Sequence, residues 1–211
     1  MAMINKQKEI QLFLDEVYPN VGCELNYQKD YELVIAVMLS AQTTDASVNA
    51  VTKVLFAKYD NLEKLANAKL EDIEDIIHSI GLYKNKAKNV IGIAQTLTKE
   101  FSGVLPSDKD LLQTLPGVGN KSAGVIRAEI FRIPDFPVDT HIQRIAKRLR
   151  LANDNDTPFD IEMKLKKKFP QEDWIKLHHQ LIHFGRDICV ARKPECQRCK
   201  LVEFCKEKHA I

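Results

Sequence analysis

Along most of this chain apolar residues recur every three or four positions, the spacing that places them on one face of an α-helix. Leu70, Ile73, Ile76, Ile77 and Ile80 form one such set, and Ala87, Val90, Ile91, Ala94 and Leu97 a second. Ile142, Ile145, Ala146 and Leu149 form a third. No stretch bounded by turn residues alternates apolar with polar, as a half-buried strand does. The pattern predicts an all-α fold. Two helix starts are marked locally: Ser107 and Asp110 read as a capping box ahead of LLQTL, and Thr157 followed by Pro158 opens FDIEMKLKKKF. YELVIAVMLSAQ, residues 31–42, is apolar on most sides, which predicts a central helix covered by its neighbours.

The helical pattern breaks at LPGVGNKSAGVI, where Pro116, Gly117 and Gly119 separate two apolar helical segments. This predicts a tight turn whose backbone amides face outward at the start of the next helix. An exposed helix start is a seat for phosphate. The segment therefore reads as a helix-hairpin-helix that grips the DNA backbone without reading sequence. An ordinary interhelical turn is the plainer reading, and the paired glycines followed by a lysine favour the first. A fainter echo of the same arrangement, helix, turn, lysine, helix, occurs in IIHSIGLYKNKAKNV.

Lys121 alone reads as a phosphate contact, and Asp139 alone, ahead of THIQRIAKRL, reads as a helix N-cap. Together they offer an amine and a carboxylate at two helix starts. An amine attacks only when unprotonated, so a nucleophilic lysine needs surroundings, such as partial burial and the positive end of a helix, that favour its neutral form. A carboxylate can accept a proton or stabilise a cationic sugar. His141 reads as a local hydrogen-bonding residue and Cys23 as a small buried side chain.

Composition adds two features. Residues 1–138 carry 15 basic and 18 acidic groups, net −3, and residues 139–211 carry 16 and 11, net +5, which together give the chain's +2. The positive charge thus gathers near the C-terminal end, as contact with a polyanion requires, although a solvated lysine-rich helix face at residues 164–168 explains part of it. Four of the five cysteines, Cys189, Cys196, Cys199 and Cys205, stand there too, in the pattern C-x6-C-x2-C-x5-C. Disulfides would make small strained loops, and the N-terminus, MAMINKQKEIQLFLDEVY, reads as neither signal peptide nor membrane anchor. A metal centre is the better reading. Four thiolates suit zinc or a [4Fe-4S] cluster; the irregular spacing favours the cluster without deciding the matter. Free thiolates fit a reducing, intracellular setting.

YELVIAVMLSAQTTD, IGLYKNKA, LPGVGNKSAGV, VDTHIQR and the cysteine tail, in this order from about residue 31 to 205, resemble the helix-hairpin-helix-GPD superfamily of DNA glycosylases. The resemblance implies a two-lobed fold: a six-helix domain over residues 23–133, and an iron-sulfur domain made of residues 1–22 and 134–211. It implies a nucleophile at Lys121, its essential partner at Asp139, and a [4Fe-4S] cluster on Cys189, Cys196, Cys199 and Cys205. Gly117 and Gly119 would present the hairpin amides to DNA, and Arg192 and Lys193 would touch phosphates. Gln42 would fill the gap left in the duplex and Leu82 would wedge the strands apart, although on their own they read as a helix-end polar residue and a core leucine. The implied activity is a bifunctional glycosylase and abasic-site lyase, excising oxidised or ring-fragmented pyrimidines from double-stranded DNA. The implied setting is a monomer in the cytoplasm, associated with the nucleoid and independent of membranes. Adenine-mismatch relatives carry a glutamate where this chain has Ala36 and no lysine at the position of Lys121. Arg132, in FRIPDFP between the hairpin helix and Asp139, stands where relatives often have glycine, which leaves the shape of that loop open. A non-catalytic DNA-binding protein and a monofunctional glycosylase are the competing readings.

Overall fold

The computed structural model describes residues 6–207, and among them every regular element is helical. The chain forms two compact units, one of Glu24–Ile133 and one that joins the residues up to Cys23 with those from Pro134 onward. Helix α1 (Lys6–Val17) belongs to the second unit. The first contains α2 (Asp30–Leu39), α3 (Asp45–Lys58), α4 (Leu62–Ala66), α5 (Leu70–Ile77), α6 (Tyr83–Glu100), α7 (Lys109–Gln113) and α8 (Asn120–Phe131). Helices α9 (Thr140–Arg148), α10 (Pro158–Lys168) and α11 (Trp174–Asp187) complete the second. Among the described residues no helix is long and apolar enough to cross a membrane.

In the first unit α2 is the buried centre. All residues from Leu33 to Leu39 are buried, and α3, α6 and α8 pack around them. Removing an aliphatic side chain from water stabilises by roughly 1.5–3 kcal/mol, so a helix apolar on every side settles where neighbours cover it completely. Its first turn is closed by Glu32, whose carboxylate accepts from the Gln28 and Lys29 amides at 2.7 and 3.3 Å. In the second unit α1 packs on α11, α11 on α9 and α9 on α10. Phe13 and Phe184 meet edge to face there, 5.7 Å between ring centres, over Ile142, Ile145 and Leu181.

The local signals decided most helix starts. Thr157 and Asp160 form the capping box of α10 with Pro158 in its first turn. At α7 the cap differs from the sequence reading: Asp108 and not Ser107 accepts from the Asp110 and Leu111 amides, at 2.9 and 3.0 Å. An ionised carboxylate is the stronger acceptor of the two neighbours. The Ser107 carbonyl instead receives the Arg127 side chain at 3.1 Å.

Candidate nucleic-acid interface and metal centre

The segment between α7 and α8 forms the hairpin, and its two glycines serve different ends. Gly117 has φ +78°, and a Cβ on it would lie 2.5 Å from Asn89 Nδ2 and 2.9 Å from Met38 Cγ. Both the left-handed backbone and the close approach of α6 require glycine there. Gly119, the N-cap of α8, has an ordinary extended backbone, and a Cβ on it would meet nothing within 4 Å. Among the described residues nothing demands a glycine at 119. No side chain caps α8, so the amides of its first turn are left facing solvent. Lys121 stands in that turn and is exposed, not partly buried as a nucleophile was expected to be. The combination of a positive helix end, uncapped amides and an accessible ammonium has the chemistry an anion site needs.

Four exposed non-glycine residues of this unit also adopt the left-handed conformation, Gln42 with φ +55°, Leu82 with φ +61°, Ser102 with φ +53° and Arg132 with φ +54°. Leu82 immediately precedes α6 and is 61% exposed, so it is not the core leucine that its pattern allowed. Non-glycine residues take this conformation at a cost and cluster at functional sites. The faint echo between the two turns has a structural counterpart, since each holds a left-handed residue, Leu82 in one and Gly117 in the other.

Asp139 belongs to the other unit, where it caps α9 by accepting from the Ile142 amide at 2.8 Å. It is half-buried. The loop before it leaves α8 through Arg132, whose φ of +54° is the conformation that a glycine would adopt without strain. Arg132 thus takes the turn that the sequence left open. His141 Nδ1 accepts from the Arg144 guanidinium at 3.2 Å, in keeping with a local role, and Cys23 is half-buried.

After α11 the backbone is irregular apart from two single-turn 3-10 helices, Cys196–Arg198 and Val202–Phe204. Side chains hold it. Arg144 donates to the carbonyls of Gly185 and Cys189 at 2.8 and 3.1 Å. Arg148 donates to the carbonyls of Val190 and Ala191 at 2.7 and 3.2 Å and lies 3.5 Å from the Cys189 sulfur. Arg198 grips Asp187, which also accepts from Tyr18 at 2.8 Å. The sequence reading took only the apolar face of α9 and missed Arg144 and Arg148; their spacing of four along one helix was the available signal. Arg192 and Lys193, by contrast, are exposed and form no ion pair among the described residues.

All four tail cysteines line one cavity, with Arg148 and the apolar side chains of Leu149, Phe184, Ile188 and Val202. Among the described residues no three histidine, cysteine or acidic side chains converge as a single bound ion needs. A tetrahedral zinc draws its sulfurs to about 2.3 Å from one point, whereas a cubane takes donors at four separate corners. Burial pushes the Cys199 thiol up to about 11 and raises that of Cys189 as well. Thiols so placed give up their protons to a binding metal and not to water.

The uncapped start of α8 with its exposed Lys121, and the exposed Arg192 and Lys193 of the tail, are features suited to holding a polyanionic backbone. The chain belongs to the HhH-GPD superfamily of base excision DNA repair proteins, which matches it over residues 35–171. Over 203 residues it is 44% identical to Endonuclease III of Bacillus subtilis (strain 168), covering 95% of this chain and 93% of that one. A trapped Endonuclease III–DNA covalent intermediate superposes with a TM-score of 0.90 at 42% identity, covering 96% of each chain. A non-covalent Endonuclease III–DNA complex gives 0.91 at 41% identity, over 98% of this chain and 97% of that.

Proposed function

We propose that this chain is a bifunctional DNA glycosylase and abasic-site lyase of base excision repair, acting on oxidised or ring-fragmented pyrimidines in double-stranded DNA. The observation that carries the reading is Lys121, an accessible amine in the first turn of an uncapped helix that a bare Gly119 opens to an incoming backbone. Its support is the extended identity to Endonuclease III, one structure of which is a covalent intermediate with DNA.

Extruding a nucleotide from the duplex costs a few kcal/mol and least for a poorly paired base, which contributes to selectivity. Gln42 fills the gap and Leu82 parts the strands, while the α8 amides and the exposed Arg192 and Lys193 hold phosphates. The unprotonated Lys121 amine forms a bond to the sugar carbon as the bond from that carbon to the base breaks and the base leaves with a proton. Opening of the sugar yields a Schiff base. Loss of a proton from the neighbouring sugar carbon then expels the 3′ phosphate, and water releases Lys121. Asp139, held in place by the Ile142 amide, stabilises the positive charge that develops on the sugar or takes the proton.

Cys189, Cys196, Cys199 and Cys205 would hold a [4Fe-4S] cluster, to which a spread of four half-buried thiols round one cavity is suited. When bound, the cluster supplies a four-point anchor for the tail that carries Arg192 and Lys193. The test is chemical trapping. Borohydride added during reaction with a thymine-glycol duplex reduces the Schiff base to a stable protein–DNA adduct, and Lys121→Ala abolishes it. An adduct that survives that substitution places the nucleophile elsewhere; free base without any adduct makes the enzyme monofunctional.

A further inference from the structure

One buried charge in the first unit takes no part in the chemistry above. Lys86 lies in the first turn of α6 and is 4% exposed, between two lysines of the same helix, Lys84 and Lys88, that are exposed. Among the described residues no carboxylate partners it: its ammonium donates to the Ala41 carbonyl and to the Thr43 hydroxyl, each at 2.8 Å. Burial alone lowers its pKa. An unpaired ammonium is a costly way to fill a core position, which an apolar side chain would fill without that cost. What the charge does gain is two strong hydrogen bonds on either side of Gln42.

The same residue is bonded to the other loop tip. Its backbone amide donates to the Leu82 carbonyl at 3.1 Å, the bond that closes the first turn of α6 behind Leu82. Gln42 and Leu82 are both in the left-handed conformation, which persists only where surrounding bonds over-determine it. Further along α6, Asn89 lies against Gly117, and a Cβ on Gly92 would come within 2.9 Å of Pro116. One helix therefore carries contacts to both loop tips and to the hairpin.

We propose that Lys86 is a positioning residue for duplex invasion, its backbone fixing Leu82 and its side chain bracketing Gln42 so that the two enter the DNA as a preset pair. The inference rests on the reading of Gln42 and Leu82 as the residues that enter the duplex. It predicts a defect confined to substrates whose strands must be parted.

The test uses the full-length protein and compares single-turnover excision of thymine glycol from a fully paired duplex with excision of the same lesion inside a bubble of unpaired bases. Lys86→Met keeps the length of the stem and removes the donors. On paired duplex its rate falls on the order of tenfold, and on the bubble it stays within about twofold, because a preset geometry matters only where it must be imposed on the DNA. A 2-aminopurine placed beside the lesion loses the fluorescence rise that reports unstacking. Lys86→Arg, which keeps a cationic donor, restores part of the duplex rate. Thr43→Val removes one acceptor without burying anything new and shows the same selective loss at smaller size, which keeps the test open should Lys86→Met fold poorly. Equal losses on both substrates, or no loss, overturn the proposal. Leu82→Ala and Gln42→Ala separate the two levels of the argument. If they show the duplex-specific loss and Lys86→Met does not, only the role of Lys86 falls; if they show none, the reading beneath it falls and takes the inference with it.

Discussion

Around Gly119 the chain is ordered by regular helices and their packing, with α7 and α8 meeting at a turn whose Gly117 is set by the close approach of Asn89 and Met38. From Cys189 to Cys205 the opposite holds. Regular structure shrinks to two 3-10 turns, and the backbone is held by arginines reaching from α9 and by Arg198 on Asp187, with four thiols round a cavity. Both regions leave groups for an anion: free amides and Lys121 in the first, Arg192 and Lys193 in the second. The difference teaches where order comes from. A site built on helix ends is organised by the fold itself, whereas an irregular tail depends on side-chain bonds and on whatever ties its thiols together.

The sharpest way to break that comparison is to remove the one group that only the hairpin supplies. Lys121→Ala should abolish the borohydride adduct entirely while binding to an abasic-analogue duplex persists, because the α8 amides remain; a gel-shift and trapping experiment on one preparation checks both. Next in size is Asp139→Asn. Asparagine caps a helix about as well as aspartate, so the melting temperature should hold while base excision falls on the order of a hundredfold or more.

The dependence of the tail on its thiols can be read by hydrogen exchange. Cys199→Ser should lose the yellow-brown absorbance near roughly 400 nm that a [4Fe-4S] centre gives, and its amides at 189–205 should exchange on the order of a hundredfold faster, with residues 115–121 unchanged. Colourless wild-type protein with stoichiometric zinc would overturn the cluster assignment.

The two glycines sharpen the picture on the hairpin side. Gly117→Ala should destabilise by about 1–2 kcal/mol or more, from the left-handed backbone and the approach of α6. Gly119→Ala should leave stability nearly untouched and weaken DNA binding instead, by roughly tenfold, if the bare surface exists for an incoming backbone. The smallest effect belongs to one charge in the tail: Lys193→Glu should lower affinity several-fold and reduce the slope of log affinity against log salt by about one unit or more. Binding indifferent to salt would make these charges mere surface solvation.

The all-α class is legible in the sequence because its code is local. A period of three to four apolar residues and a cap are satisfied within one or two turns, so α9 and α10 start where Asp139 and Thr157 say they should. The same locality explains the displaced start of α7, since two adjacent cap-forming residues, Ser107 and Asp108, compete at a distance of one residue. What only the tertiary structure decided are the relations over long separations. That Leu82 is exposed and not core, that Arg148 reaches the backbone of a cysteine loop more than 40 residues further on, and that Lys86 alone of three nearby lysines is buried against residues 41 and 43 cannot be read from local pattern. Nothing within a few residues of Lys86 distinguishes it from Lys84 or Lys88. Its environment is made by a loop 45 residues earlier, and only packing brings that loop to it.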